Sequence, residues 1–487
     1  MRCALVIPSW APEDLFPAKT AGSQLNYWQP LGTLYVAASL QRAGHEVRFL
    51  DGAFLSRQAI LDQLSAFRPE WVGIYATAFG WPRAERTAAD VTERLPESYL
   101  CAGGPYPIAE GERCLDYARA FDAAVTGEGE QTAVEMVERL ERRESLEGVS
   151  GLVYRQGDEV KANPPRPLLR NLDQLPFPDR RLLGDPDRYL PPPATWRRKP
   201  VAVVLTSRGC NRHCIFCFQM DKSRRSGIRY RSVENVLEEI ELCLRQGFRE
   251  IKFIDDTFAE DRARAMRLAG EIRRRRLDFT WFASACANQV DPEMLRAFKE
   301  AGCWAILFGV ESGVQRNLNT LRKGITLDQA RRAVAWAREA GLSVQTTFMF
   351  GIPGETFEDG LRTIDFACEL DADWASFHAI VPFPGTVLHD RAAGLGTLSE
   401  DLQDFTYQGA AFVPSTMTRD QIVELRQRAY RAFYSRPRFL LRKLAGLGNR
   451  HHRAAALRSA RSFFWLWAGK DVFRPASAGH RPDPREG

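Results

Sequence analysis

The amino-acid sequence predicts an α/β protein with two parallel sheets in series: a doubly wound N-terminal domain, then a partial (β/α)6 barrel, then a helical C-terminal region. Two alternations of strand-like and helix-like segments carry this reading, one over residues 1–145 and one over 199–392, with a proline-rich stretch between them. At 487 residues the chain also exceeds what one hydrophobic core organises.

In the first alternation, short apolar runs at 4–8, 46–50, 71–76, 99–102 and 123–126 read as strands. Between them, 31–42, 57–67, 83–94 and 131–140 repeat apolar residues at helical spacing. Five strands and four helices make a Rossmann-like domain, whose ligands sit beyond the carboxyl ends of the strands. Glycines fall at that edge. Leu31-Gly32 opens the first helix, Gly103-Gly104-Pro105 follows the fourth strand, and Gly127-Glu128-Gly129 follows the fifth. Each alone is an ordinary turn. Their convergence on one sheet edge is the informative part, because glycine lets a backbone approach a ligand closely. No Gly-x-Gly-x-x-Gly follows the first strand, which weighs against a dinucleotide domain.

Residues 146–198 are rich in proline, with Asn163-Pro164-Pro165-Arg166-Pro167 and Pro191-Pro192-Pro193, and read as a linker carrying a hairpin at 151–160. The second alternation then places strands at 201–206, 250–254, 279–284, 305–310, 343–350 and 375–381. Helices at 233–245, 262–274, 292–301, 327–340 and 357–370 separate them. Six βα units make an incomplete parallel barrel, with reactive groups expected at the carboxyl ends of its strands. Residues 393–487 complete the chain as a basic helical region. From Arg419 to Arg474 fourteen Lys/Arg face three acids, so the net charge of +6 belongs to this tail.

Hydrophobic residues at 45% and charged residues at 26% are ordinary globular usage and exclude bulk disorder or a membrane bundle. No apolar run of about twenty residues occurs. The N-terminal apolar run is broken by Pro8 and lacks the features of an export signal, so a cytoplasmic location is expected. Ten scattered cysteines in a chain this long are not a disulfide scaffold. Cys3, Cys101, Cys114, Cys243, Cys286, Cys303 and Cys368 are expected in the core or at strand ends.

The other three lie together, directly after the first barrel strand, in Ser207-Arg208-Gly209-Cys210-Asn211-Arg212-His213-Cys214-Ile215-Phe216-Cys217-Phe218. A cubane iron–sulfur cluster ordinarily takes four thiolates. The C-x3-C-x2-C spacing supplies three within eight residues, which leaves one iron open to a small molecule. Structural zinc is the competing reading. It needs four converging ligands, and His213, adjacent to Cys214, is poorly placed to be the fourth.

On this motif the chain resembles the radical S-adenosylmethionine (SAM) superfamily, in the branch with an N-terminal cobalamin-binding domain, over residues 1 to about 390. The resemblance implies a 4Fe-4S cluster on Cys210, Cys214 and Cys217, with SAM chelating the open iron. It implies that Phe216 packs near the adenine and that Asp255 and Asp256 meet the methionine amino end. Glu311 and Ser312 correspond to the ribose and carboxylate contact, and Gly351-Ile352-Pro353 to the turn shaping the adenine pocket. Phe383-Pro384-Gly385-Thr386 is a weaker match to a pocket-lining segment. Lys323 is either a contact of the SAM carboxylate or a solvated lysine. For cobalamin the resemblance points to the loops already singled out: Leu31, Gly32, Gly103, Gly104, Pro105, Gly127, Glu128 and Gly129. The sequence lacks Asp-x-His-x-x-Gly. His45, the one histidine before residue 200, precedes the second strand and reads as structural. Tyr27 or Trp28 either covers the lower face of cobalt or packs in the core.

The activity implied is C-methylation of an unactivated carbon in a hydrophobic (lipid, isoprenoid or tetrapyrrole-like) or natural-product substrate. Radical cyclisation or oxidation without methyl transfer is the alternative within the family, and a non-catalytic cobalamin or metal-binding regulator the alternative outside it. A flavodoxin or ferredoxin is the implied electron donor. The tail, which mixes arginine with aromatics, reads either as a helical layer closing the barrel or as peripheral contact with the inner membrane surface. No recognisable module supports nucleic-acid binding.

Overall fold

The computed structural model describes residues 1–15, 27–191, 195–221, 226–407 and 409–446. The tail beyond 446 lies outside the described residues.

The N-terminal sheet has the order β2-β1-β3-β4-β5-β6-β7. Its strands are β1 (Arg2–Ile7), β2 (Glu46–Asp51), β3 (Trp71–Tyr75), β4 (Tyr99–Gly103), β5 (Ala123–Val125), β6 (Leu152–Gln156) and β7 (Glu159–Ala162). The first five are parallel. Alternate residues of β1 explain the two helical layers. Ala4 and Val6 pack with Ile60, Leu64, Ala84 and Val91 on one face, while Cys3 and Leu5 pack with Leu34, Leu40, Met136 and Val137 on the other. The hairpin expected in the linker is a working part of this sheet. Its first strand pairs antiparallel with β5, covering the edge of a strand only three residues long.

The barrel sheet has the order β15-β14-β13-β12-β11-β8. Its strands are β8 (Val201–Val204), β11 (Glu250–Phe253), β12 (Thr280–Ala285), β13 (Cys303–Glu311), β14 (Ser343–Phe350) and β15 (Trp374–Ala379), all parallel. A short antiparallel pair, β9 (Ser207–Arg208) and β10 (Arg229–Tyr230), flanks the cysteine loop. Outward residues such as Ile251, Phe253, Trp281 and Phe348 join the helices in one large core.

The sheet does not close, and both of its edges are covered by side chains. On β8, Gln29 Nε2 donates to the Val201 carbonyl at 2.9 Å and its Oε1 accepts from Val203 N at 3.1 Å. On β15, the Tyr434 hydroxyl donates to the Ala375 carbonyl at 2.8 Å and accepts from Ala375 N at 3.3 Å, and Tyr430 accepts from Phe377 N at 3.4 Å. Both tyrosines belong to the helix Arg419–Tyr434, whose capping box is Thr418 with Gln421. The described part of the tail is therefore a layer on the barrel. The region expected to be helical from 393 opens differently, with β16 (Gly396–Leu398) paired to β17 (Phe412–Pro414). Gly396 is needed there, since a Cβ would stand 2.1 Å from the Val413 carbonyl oxygen.

Buried ion pairs join the two sheets through the linker. Glu239, fully buried, binds Arg180 of the linker at 2.6 Å and also Arg231. Burial alone would raise its pKa, but the two guanidinium groups hold it below the ordinary carboxylate range.

Candidate functional site

The cysteine loop leaves β9 at Gly209, whose φ is +95° and where a Cβ would stand 2.6 Å from the Gly227 carbonyl oxygen, so a side chain is excluded. Backbone hydrogen bonds then fasten it to the barrel mouth, from Ile215 N to Leu321 O at 3.1 Å and from Leu388 N to Ile215 O at 2.8 Å. Cys214 is buried; Cys210 and Cys217 are half-buried. Cys210 Sγ accepts from Arg212 N at 3.4 Å, and Cys217 Sγ from Gln219 Nε2 at 3.7 Å. Burial pushes the Cys210 thiol up to about 12 and the Cys214 thiol up to about 11. Only coordination would keep these sulfurs as thiolates near neutral pH. Among the described residues no three His, Cys, Asp or Glu side chains converge on a single ion.

The strand ends around the loop bring most of the other candidates together. Phe216 and Ile352 share a small apolar cluster with Ile215 and Leu321. The two adjacent aspartates part company. Asp255 is buried, and its Oδ1 accepts from Thr206 N (3.0 Å), Thr206 Oγ1 (2.8 Å) and Ser207 Oγ (2.5 Å), fastening the start of the cysteine loop. Asp256 is exposed, so it is the aspartate open to a ligand. Glu311 takes φ +73° at an irregularity between β13 and β14, an uncommon conformation for a residue with a side chain. Its Oε1 accepts from Lys323 Nζ at 2.7 Å. Lys323 is thus a buried, ion-paired residue, 8% exposed, and not a solvated one. Ser312 is fully buried, bonded to Thr363 Oγ1 at 3.1 Å and Asn317 Nδ2 at 3.2 Å. Its hydroxyl organises the turn and is closed to a ligand. Gly351 and Ile352 wrap a residue that the sequence reading passed over: their N–H groups donate to Glu355 Oε2 at 2.7 and 3.2 Å.

The N-terminal glycine loops face a cavity of about 610 Å³, within the range of cofactor sites. Leu31, Gly32, Gly103, Gly104, Pro105, Gly127, Glu128 and Gly129 all line it. A Cβ at Gly32, Gly103 or Gly127 would meet nothing within 4 Å, so these three leave open room for a large flat ligand. Tyr27 and Trp28 line the same cavity, as do Arg208, Phe218, Met220 and Ile254 of the barrel. Met220 and Ile254 are 39% and 37% exposed, unusual for such side chains, and form an apolar wall toward the cysteine loop. His45 lies away from this cavity, buried beside the N-terminal amine at 3.2 Å.

Two features escaped the sequence reading. Glu128 binds Arg208 at 2.8 Å and Arg229 at 2.9 Å, and Arg208 also binds Glu130 at 2.5 Å, so the glycine loop and the cysteine loop are joined by buried ion pairs. Lys252, in the interior of the barrel, is sandwiched at 4.2 Å between the Trp28 and Phe282 rings, and burial lowers its pKa to about 7. A lysine inside the apolar run Glu250-Ile251-Lys252-Phe253 was the available signal. Cys286, expected in the core or at a strand end, is half-buried at a strand end.

Residues 204–367 match the family model described as the radical SAM superfamily, and residues 20–137 match the one described as the B12 binding domain. An uncharacterized methyltransferase of Pyrococcus horikoshii is 36% identical over 451 residues, covering 91% of this chain and 95% of its own. The cytidylyl-2-hydroxyethylphosphonate methyltransferase of Streptomyces wedmorensis is 29% identical over 84% of this chain and 86% of its own. Among solved structures, that of the radical S-adenosylmethionine methyltransferase TsrM from Kitasatospora setae, with cobalamin and a 4Fe-4S cluster bound, has the same fold. The TM-score is 0.68 at 19% identity, over 95% of this chain and 99% of that one.

Proposed function

The chain belongs to the radical SAM superfamily, in the branch that carries an N-terminal B12-binding domain, and from that premise we propose that it methylates an unactivated carbon of a small, largely apolar substrate. Cofactors supply the difficult chemistry here: the cluster with SAM provides a hydrogen-abstracting radical, and cobalamin carries the methyl group. The residues of the chain bind, orient and exclude water. Cys210, Cys214 and Cys217 hold the cluster. Phe216 and the Gly351-Ile352-Pro353 turn bound the adenine side of SAM, while Asp256 offers negative charge to its amino group and Lys323, held by Glu311, positive charge to its carboxylate. Asp255 and Ser312 serve by fixing the strand ends. Gly32, Gly103 and Gly127 give cobalamin room, and Leu31, Gly104, Pro105, Glu128 and Gly129 frame it.

One observation carries this reading. The glycine-walled cavity also touches Arg208, two residues before Cys210, and Phe218, one residue after Cys217, so cobalamin and cluster would face one shared space. The apolar wall of Met220 and Ile254 supports a hydrophobic substrate group at that place. Both relatives described above are named methyltransferases, which favours methyl transfer over cyclisation or oxidation. Electron delivery by a flavodoxin or ferredoxin belongs to the same proposal, as does contact of the basic segment 447–474 with anionic lipid. The latter is tested by vesicle co-sedimentation with and without that segment.

The deciding experiment uses anaerobically reconstituted protein with SAM and candidate substrates. Product should gain one CH2, with release of 5′-deoxyadenosine. Replacing Cys210, Cys214 and Cys217 with alanine should abolish cluster absorbance and SAM cleavage together. Cleavage that survives the triple replacement sinks the assignment, and product of unchanged carbon count sinks methylation.

A further inference from the structure

Lys252 lies on the face of β11 opposite Ile251 and Phe253, which pack into the helical core, so its side chain points into the barrel. Its neighbours in register are Val203 of β8 and Phe282 of β12, neither of them charged. The residue is 6% exposed, and a buried ammonium is costly unless a partner compensates it. Glu250, two residues back on the same face, is committed elsewhere. It accepts from Trp304 Nε1 at 2.5 Å, from Arg198 N at 3.2 Å, from Arg197 N at 3.3 Å and from the Thr280 hydroxyl. Among the described residues Lys252 forms no ion pair. Its Nζ is held by π faces instead, 4.2 Å from the ring centroids of both Phe282 and Trp28.

Phe282 belongs to the barrel, whereas Trp28 comes from the N-terminal domain and reaches the barrel at its open edge. Gln29 anchors the adjoining backbone on β8, and the indole packs with Leu31, Tyr35 and Val203. The same indole lines the glycine-walled cavity. It therefore stands between that cavity and Lys252. We propose that Lys252 is a positioning residue for the cobalamin site: its ammonium, clasped by the two rings, fixes the Trp28 indole as a rigid wall of the cavity. This inference rests on the assignment of the cavity to cobalamin under Proposed function. An apolar side chain of the same length would fill the space without the cost of desolvating a charge. What the charge adds is direction. A ring quadrupole attracts a cation over its face, which sets the tilt of the indole as well as its place. A wall set in advance spares the ligand the ordering of that side chain, and the complex is correspondingly slower to open.

The test measures the dissociation of hydroxocobalamin from full-length protein, by spectral decay after dilution, together with the melting temperature of the cobalamin-free protein. Lys252→Met keeps the length of the side chain and removes the charge. It should melt at or above the wild-type temperature and release cobalamin about tenfold faster, the order expected when a desolvated contact between ammonium and ring is lost. Lys252→Arg, whose planar cation also stacks between rings, should release it within about threefold of the wild-type rate. Trp28→Leu should release it about as fast as Lys252→Met, and combining the two should add nothing further, since the lysine acts through the indole. A wild-type rate in Lys252→Met would overturn the proposal. So would a double variant whose rate multiplies the two single effects, because the lysine would then act independently of Trp28. A Lys252→Met protein that melts several degrees below wild type would reduce the residue to structural support and overturn it too. Wild-type protein that takes up no cobalamin would instead remove the assignment of the cavity, and this inference with it.

Discussion

At the scale of single residues, Glu355 holds the Gly351-Ile352-Pro353 turn in place while lying fully buried. Burial pushes its carboxyl up to about 8, against the backbone N–H groups of Ile352 and Gly351 that favour the charged form. A folded-state pKa above the ordinary value of 4.5 means that its stabilising contribution is complete below that value and is lost as pH rises through about 8. Glu355→Gln, which imitates the neutral acid, should therefore flatten the fall in melting temperature between about pH 5 and 8 relative to wild type. Parallel profiles for the two proteins would contradict this. Neighbouring glycines make a second contrast. Gly104 has φ +109°, and a Cβ there would stand 2.7 Å from the Ala76 carbonyl oxygen, so Gly104→Ala should cost about 1–3 kcal/mol in unfolding experiments. A Cβ at Gly103 meets nothing, so Gly103→Leu should stay within about 1 kcal/mol of wild type and yet lose the absorbance of bound cobalamin. Normal cobalamin retention by that variant would disconnect the cavity from the cofactor. The glycines were legible in the sequence because turns announce themselves locally. Glu355 and Lys252 were not, nor was the pairing of Lys323 with Glu311, since what makes these residues unusual is burial against groups that the sequence does not place beside them.

At the scale of elements, the junction of glycine loop and cysteine loop rests on Glu128, which is 8% exposed. Burial alone would raise its pKa, but hydrogen bonds and charge from Arg229 and Arg208 hold it below the ordinary range. Its contribution is therefore present above the unfolded carboxylate pKa and fades as acid takes the pH down through its lowered value. Glu128→Gln removes the carboxylate that pairs with Arg229, leaves Arg208 with Glu130 alone, and should cost about 3 kcal/mol. The dissociation of cobalamin should also quicken, measured by spectral decay after dilution; an unchanged rate would confine Glu128 to stability. The parallel strands of both sheets were readable from apolar periodicity, because burial on both faces writes long hydrophobic runs. The two-residue β9 and β10 and the three-residue β16 and β17 are too short to carry any period. Gln29 and Tyr434 could not be read as edge covers, since their partners lie 172 and 59 positions away.

At the scale of the whole molecule, Gln29, Glu128 and Glu239 tie the two sheets together through buried contacts, so the domains should not melt independently. A single calorimetric transition is expected. Cobalamin at about 100 times its Kd should raise stability by about 2.7 kcal/mol for that transition as a unit, and should leave Gly103→Leu unmoved. Two resolved transitions, only one of them shifting, would show that the buried ties do not couple the domains. The covers on the open barrel also differ in when they become available. Gln29 leaves the ribosome long before β8, so that edge has its cover waiting. Tyr434 follows Ala375 by 59 residues, which at about 5–20 residues per second leaves the β15 edge bare for roughly 3–12 s of synthesis. During that interval a nascent chain presents an unpaired strand to its neighbours on the same message. The helix Arg419–Tyr434 is thus the last safeguard of a newborn sheet against sticking to its siblings, and messages truncated before it would yield aggregates where a shortened enzyme was intended.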